Sequence, residues 1–103
     1  MFAARPSAES ATGSPGQARA LVVPHASEEA TVIEVRAQDR PGLLHELGMG
    51  FAKAGLSVRS AHIATYAGQT LDTFYVTEFG GGQLAPARAA QAVAMIIDTC
   101  DAA

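Results

Sequence analysis

Apolar and polar residues alternate along Thr31-Val32-Ile33-Glu34-Val35-Arg36-Ala37, a β-branched run with the two-residue period of a half-buried strand. One face carries Ile33, Val35 and Ala37, the other Val32, Glu34 and Arg36. The period then changes. From about residue 41 to 54, Leu44, Leu47, Phe51 and Ala54 recur at helical spacing, with Pro41 suited to the first helical position. Gly42 allows close approach of a backbone or a ligand to that first turn. Gly48 and Gly50 each weaken such a helix by roughly 1 kcal/mol relative to alanine. Gly48 lies beside the apolar stripe, where close packing of helix on sheet would compensate, and Gly55 fits a left-handed residue after the last turn.

Leu56 to Tyr66 reads as a second strand whose apolar parity switches between Val58 and Ala61. One extra residue near Arg59-Ser60, a β-bulge, would return Leu56, Val58, Ala61 and Ile63 to one face. Ala67-Gly68-Gln69 is a tight hairpin connection to a third strand, Leu71 to Phe79, with Phe74 and Val76 on one side and Thr73, Tyr75 and Thr77 on the other. Gly80-Gly81-Gly82 ends it. Pro86 opens a second helix striped by Ala89, Val93, Ile96, Ile97 and Cys100. Upstream, Ala20 to Pro24 is a short candidate strand, and residues 1–18, rich in Ala, Ser, Gly and Pro, read as a flexible tail or linker.

The order (β)βαββα predicts an α+β, ferredoxin-like sandwich: a four-stranded antiparallel sheet with two helices on one face. No strand follows the second helix, so Leu21–Val23 is the candidate to take the usual last strand's place, and residues 19–103 form the domain.

Composition narrows the function. The net charge of −3 argues against a nucleic-acid or anionic-membrane surface. A single cysteine, Cys100, excludes an intrachain disulfide and a Cys-x-x-Cys metal carrier, and reads as a small packing residue. Without an apolar leader in Met1 to Pro6 or a run approaching ~20 apolar residues, the cytoplasm is the expected location. His25, His45 and His62 lack metal-ligand spacing, and no nucleophile–base set or glycine-rich phosphate loop occurs, so neither a catalytic residue nor a cofactor is expected.

What remains is the strand-to-helix turn at 39–44. Unpaired N–H groups and the positive end of a helix dipole favour a carboxylate there, and Asp39 stands beside them to balance an amine. The residues therefore point to a small zwitterion. Its carboxylate is expected at the N–H groups of Gly42, Leu43 and Leu44, and its ammonium at Asp39 or a backbone carbonyl of the 56–66 strand. Asp39, Arg40, Pro41, Gly42, Leu43 and Leu44 thus form one half of the expected site, and Arg59, Ser60, Ala61, His62 and Ile63 around the bulge the other. Arg40 reads either as a solvated loop residue or as a carboxylate contact.

The run Val32 to Leu44, with its Asp39-Arg40-Pro41-Gly42-Leu43, resembles the start of an ACT domain, a small regulatory module that binds amino acids. Ser60-Ala61-His62-Ile63-Ala64-Thr65 and Asp72-Thr73-Phe74-Tyr75-Val76-Thr77 resemble the C-terminal ACT domain of the bacterial PII uridylyltransferase/uridylyl-removing enzymes, as does Val22 to Ser27 upstream. This resemblance covers about residues 20–101. It implies glutamine as the ligand and a second ACT domain, from a homodimer or a tandem repeat, to complete the site. It also implies a partnership with PII through a parent nucleotidyltransferase whose own motifs do not occur here. A ligand-free pairing module, burying Val32, Tyr75 and the outer sheet face or a helix flank against a neighbour, is the alternative.

Overall fold

The computed structural model describes residues 17–102. Six elements follow in order: β1 (Arg19–Val22), β2 (Thr31–Gln38), α1 (Leu43–Lys53), β3 (Leu56–Tyr66), β4 (Gln69–Glu78) and α2 (Pro86–Asp101). All pairings are antiparallel, in the order β1-β2-β4-β3. The short N-terminal strand lies beside β2, at the position expected for it, and β3 forms the opposite edge. Residues 1–16 of the expected tail lie outside the described residues, but Ala18 at its end is buried in the core, its N–H donating to Asp101 Oδ1 at 2.9 Å. β1 also starts and ends earlier than expected, before Val23 and Pro24.

The core fills the space between one sheet face and the helices. Ile33 and Val35 of β2 and Phe74 and Val76 of β4 meet Leu43, Leu47 and Phe51 of α1 and Ala92 and Ile96 of α2. Phe51 and Phe74 pack at 5.4 Å between ring centres. Burying each of the larger side chains contributes about 1.5–3 kcal/mol, which is what brings a glycine-weakened helix onto the sheet.

The first helix departs from the sequence expectation in three ways. It starts at Leu43, not at Pro41. Arg40, Pro41, Gly42 and Leu43 form a turn closed by the Leu43 N–H on the Arg40 carbonyl at 3.2 Å, and Gly42 has φ 81 and ψ −2, the dihedrals of the third residue of a type II turn. Proline is therefore placed by the turn and not by the helix. Starting the helix two residues later rotates the buried stripe: Leu43 is buried and Leu44 is half exposed. The close helix approach is at Gly50, not Gly48: Gly50 stands against Met95 of α2, while Gly48 has open space around its α carbon. In α2 the buried stripe includes Ala92 and leaves Val93 only partly covered.

Two backbone devices hold the β3–β4 hairpin in register. Ala67 and Gly68, at φ 53 and 80, form a two-residue loop with left-handed dihedrals at both positions, matching the twist of paired strands. At the other end the register shifts between Val58 and Ser60, so the expected bulge is present. It places Val58, Ala61 and Ile63 opposite Val76, Phe74 and Asp72, all on the helix-facing side. Beyond Leu56, however, this edge strand is exposed, with Val58 and Ile63 at 38% and 46%. Val32 of the outer face is already buried within the chain at 3%, leaving Tyr75 as the half-covered member of that cross-strand pair.

Candidate functional site

The turn at 39–44 is built where β2 leaves the sheet. The Asp39 N–H donates to the carbonyl of Gly68 at 3.0 Å, fixing the turn against the β3–β4 hairpin. In the first turn of α1, the Leu43 N–H is taken by Arg40 and the Glu46 N–H by the Gly42 carbonyl at 3.0 Å. Among the described residues no backbone acceptor falls to the N–H groups of Gly42, Leu44 or His45. Of the three donors expected for a carboxylate, two are free and Leu43 is committed.

Arg40 is neither freely solvated nor open to a ligand. Its Nη1 and Nη2 donate to Glu46 Oε2 and Oε1 at 2.9 and 3.0 Å, and Nη2 also donates to the Thr99 carbonyl of α2 at 2.8 Å. This fork ties the turn to both helices. The hydrogen bonds from Arg40 hold the Glu46 carboxyl below the usual glutamate range. A carboxylate thus already stands close to Gly42: a β carbon at position 42 would lie 3.8 Å from Glu46 Oε2. Asp39 is exposed, and among the described residues its carboxylate has no cationic partner.

The two halves of the expected site do not converge within one chain. Ile63 pairs with Asp72, which pairs with Val35, so Ile63 is level with a residue four positions before Asp39. At ~3.3 Å per residue that is about 13 Å along the strand, with two strand spacings across. Arg59 is farther, near the far end of the sheet where β4 leaves it. The half-site also splits between faces: Ala61 and Ile63 point to the helix side, Ser60 and His62 to the outer side. His62 sits edge-on to Tyr75 with 6.0 Å between ring centres. Arg59 donates from Nε to Thr77 Oγ1 at 3.0 Å, and with Ser60, Tyr75 and Glu29 it lines a separate cleft of about 450 Å³.

On the helix-facing side of β4, two and four residues short of the 39–44 corner, stand two buried polar residues. Ala37 of β2 pairs with Thr70 of β4, and Asp72 is the next residue of the same face. Asp72 is 2% exposed, and Thr70 donates its hydroxyl to Asp72 Oδ1. Burial pushes the Asp72 carboxyl above the usual aspartate range, and the nearby Asp39 charge pushes the same way, against the pull of Thr70 and the Ala64 backbone. Cys100 of α2, also within electrostatic reach of Asp72, is pushed up to about 11 chiefly by burial. A signal for Asp72 existed in the sequence: it shares the parity of Phe74 and Val76, which puts a carboxylate on the core-facing side of a strand. The described residues contain no group of three or more His, Cys, Asp or Glu able to hold a metal ion. No described helix is long and apolar enough to cross a membrane.

Comparison with known proteins agrees with this architecture. The chain is 51% identical over 80 residues to the bifunctional uridylyltransferase/uridylyl-removing enzyme of Streptomyces coelicolor, covering 78% of this chain and 10% of that protein. It is 57% identical over 53 residues to the protein of the same name from Zymomonas mobilis, covering 52% of this chain and 6% of the relative. The same-named protein of Rhodopseudomonas palustris is 42% identical over 87 residues, covering 77% and 9%. The chain therefore spans about a tenth or less of the length of these relatives. The sequence profile described as "ACT domain" matches residues 31–92, from the first residue of β2 into the middle of α2. On that match and on the fold it overlies, the chain belongs to the ACT domain family.

Proposed function

We propose that the chain is an amino-acid-sensing regulatory domain, with glutamine as the favoured ligand, controlling a nucleotidyltransferase that modifies PII in the cytoplasm. The observation that carries the reading is the Arg40–Leu43 turn. It leaves the Gly42, Leu44 and His45 N–H groups without backbone acceptors and sets the uncommitted Asp39 carboxylate beside them. An α-carboxylate belongs at the first and an α-ammonium beside the second. The ligand's side chain is read by a second ACT domain. The surface that receives it is the free edge of β3 with the flank of α1, where Ile63, Val58 and Leu44 are exposed. That neighbour would supply the bulge residues 59–63 that one chain holds too far from its own turn. Glutamine rests on the similarity to uridylyltransferase/uridylyl-removing enzymes; the corner itself supports a zwitterion.

A sensor poised near metabolite concentration needs only millimolar affinity, about −4 kcal/mol. Signalling further requires that the ligand favour one arrangement of paired domains over another. Titrating glutamine into the chain by calorimetry, with amide shifts followed by NMR, tests the reading. Heat accompanied by shifts at 39–44 is expected, and neither heat nor shifts would refute it.

The pairing module without a ligand is favoured by one specific contact: the Glu46 carboxylate, held by Arg40, already stands near the helix start. A dimer whose dissociation constant is the same with and without amino acids would select that reading.

A further inference from the structure

The sheet face turned away from the helices carries a charged cleft at the opposite end of β2 from the 39–44 turn. Tyr75 and Thr77 belong to that face, since Phe74 and Val76, which alternate with them, are core residues. The loop before β2 and the glycines after β4 close a space of about 450 Å³ there, the size of a small-metabolite site. Gly81 and Gly82 have φ 104 and 91, and the Glu78 N–H donates to the Gly82 carbonyl at 3.1 Å, so the chain doubles back beside the sheet. A β carbon at Gly81 would stand 3.9 Å from Arg59 Nη2. The length of β2 puts this cleft roughly 23 Å from the 39–44 turn, at ~3.3 Å per residue.

Arg59 is held at this cleft by a fixed post. Thr77 is 4% exposed; its hydroxyl donates to the Glu78 carbonyl at 2.8 Å and accepts from Arg59 Nε at 3.0 Å. Among the described residues neither Nη group has an acceptor, the ion pairs being Arg40–Glu46 and Arg88–Glu78. Glu29 lines the same cleft, so a cation and an anion share it without meeting. A guanidinium anchored through Nε presents its two Nη groups as a planar fork, the geometry that takes a carboxylate through two parallel hydrogen bonds. Glu29 favours an ammonium and opposes a dianion such as phosphate. The Ser60 and Tyr75 side chains complete the lining with hydroxyl groups. We infer that this cleft binds a free α-amino acid, its carboxylate on Arg59 and its ammonium on Glu29, as a site separate from the 39–44 turn. Arg59 then serves its own chain, and residues 60–63 are left to meet a neighbour's turn. The site stands whether or not that turn binds a ligand.

NMR titration of the isotope-labelled chain tests this, with L-serine, L-methionine and L-glutamine as probes. Acetate serves as the carboxylate without an ammonium, and inorganic phosphate as the dianion. Saturable shifts are expected at the amides of Ser60, Tyr75 and Gly82 with at least one of the amino acids, with a concentration dependence separate from any response at 39–44. Arg59→Gln removes the fork, so affinity at the cleft should fall about tenfold or more, the effect of losing a charge-assisted hydrogen bond. A response at 39–44 should be untouched by that variant. Glu29→Gln, on an exposed loop, should weaken the amino acids to the level of acetate. It keeps the test open if circular dichroism shows that Arg59→Gln does not fold. The proposal is overturned by an absence of shifts at the cleft with all three amino acids. Affinity unchanged in a folded Arg59→Gln or in Glu29→Gln, or acetate or phosphate bound as tightly as the amino acids, overturns it equally. Shifts at 39–44 alone overturn it and leave the sensing reading standing, whereas shifts at the cleft alone do the reverse.

Discussion

Gly50 of α1 faces Met95 of α2 with no room for a β carbon between them, because the added carbon would fall on Met95 Sδ. Gly48, two residues earlier, would meet nothing within 4 Å. The two glycines therefore differ in cost although both weaken the helix equally on intrinsic grounds. Gly48→Ala should raise stability by about 1 kcal/mol. Gly50→Ala gains the same helix propensity but must displace the methionine, with a cost of about 1–3 kcal/mol for overpacking if the thioether cannot swing aside. Urea denaturation should rank Gly48→Ala above Gly50→Ala, and equal gains would show that the helices are not in close contact there.

Arg88 joins three elements at the opposite end of the molecule. Its Nε and Nη2 donate to the two Glu78 oxygens at 3.1 and 2.9 Å, and Nη2 also donates to the Ala54 carbonyl at the end of α1 at 2.7 Å. The hydrogen bonds from Arg88 hold the Glu78 carboxyl below its usual range. A carboxyl whose folded-state pKa is depressed stabilises the fold above its unfolded pKa, and that contribution disappears as pH falls through the folded value. Arg88→Met should lower the melting temperature at pH 7. The gap to wild type should narrow on acidification below about pH 4 without closing fully, since the bond to Ala54 does not titrate.

The alternation in Thr31 to Ala37 and Leu71 to Phe79 was legible because each strand has one face against the core and one away from it. The bulge at Arg59-Ser60 was legible as a broken parity that one extra residue repairs. The helix start was not, because Pro41 suits both the first helical position and the second position of a type II turn; Gly42, at φ 81, favours the turn. That two-residue difference is what exchanged Leu43 for Leu44 in the buried stripe. Arg40's partners were hidden for another reason: Thr99 is 59 residues away, and no local pattern reports such a contact. The two half-sites looked adjacent because sequence gives strand neighbours but not which end of a strand a loop occupies.

Ala67 has a left-handed backbone, φ 53, in the loop that joins β3 to β4. An alanine there carries steric strain of about 1–2 kcal/mol, which asparagine tolerates better through its short polar side chain. Ala67→Asn should raise stability by roughly 0.5–1 kcal/mol, measured as a shift of the urea midpoint at unchanged slope.

Gly42 combines the same dihedral constraint with the corner's function. At φ 81, Gly42→Ala should cost about 1 kcal/mol net, the strain being partly offset by the smaller entropy of the unfolded chain. Gly42→Val adds branching at the same dihedral and should cost more. A loss of amino-acid binding in the valine variant therefore speaks to the site only if circular dichroism and thermal melts show the fold retained at the titration temperature.

Asp72→Asn tests, through stability alone, whether the buried Asp72 carboxyl goes without a counter-charge in the folded chain. Burial raises the Asp72 pKa in the folded state, so between the unfolded and folded values the native state holds more protons than the unfolded state. Stability then falls as pH rises through that window, and the penalty is fully present above the folded pKa. Asparagine removes the titration and keeps the bond to Thr70. Without ligand, the variant should melt at a higher temperature than wild type at pH 7, with the difference shrinking as pH falls toward the ordinary aspartate range. A variant less stable than wild type at neutral pH would mean that the folded chain already provides Asp72 with its counter-charge.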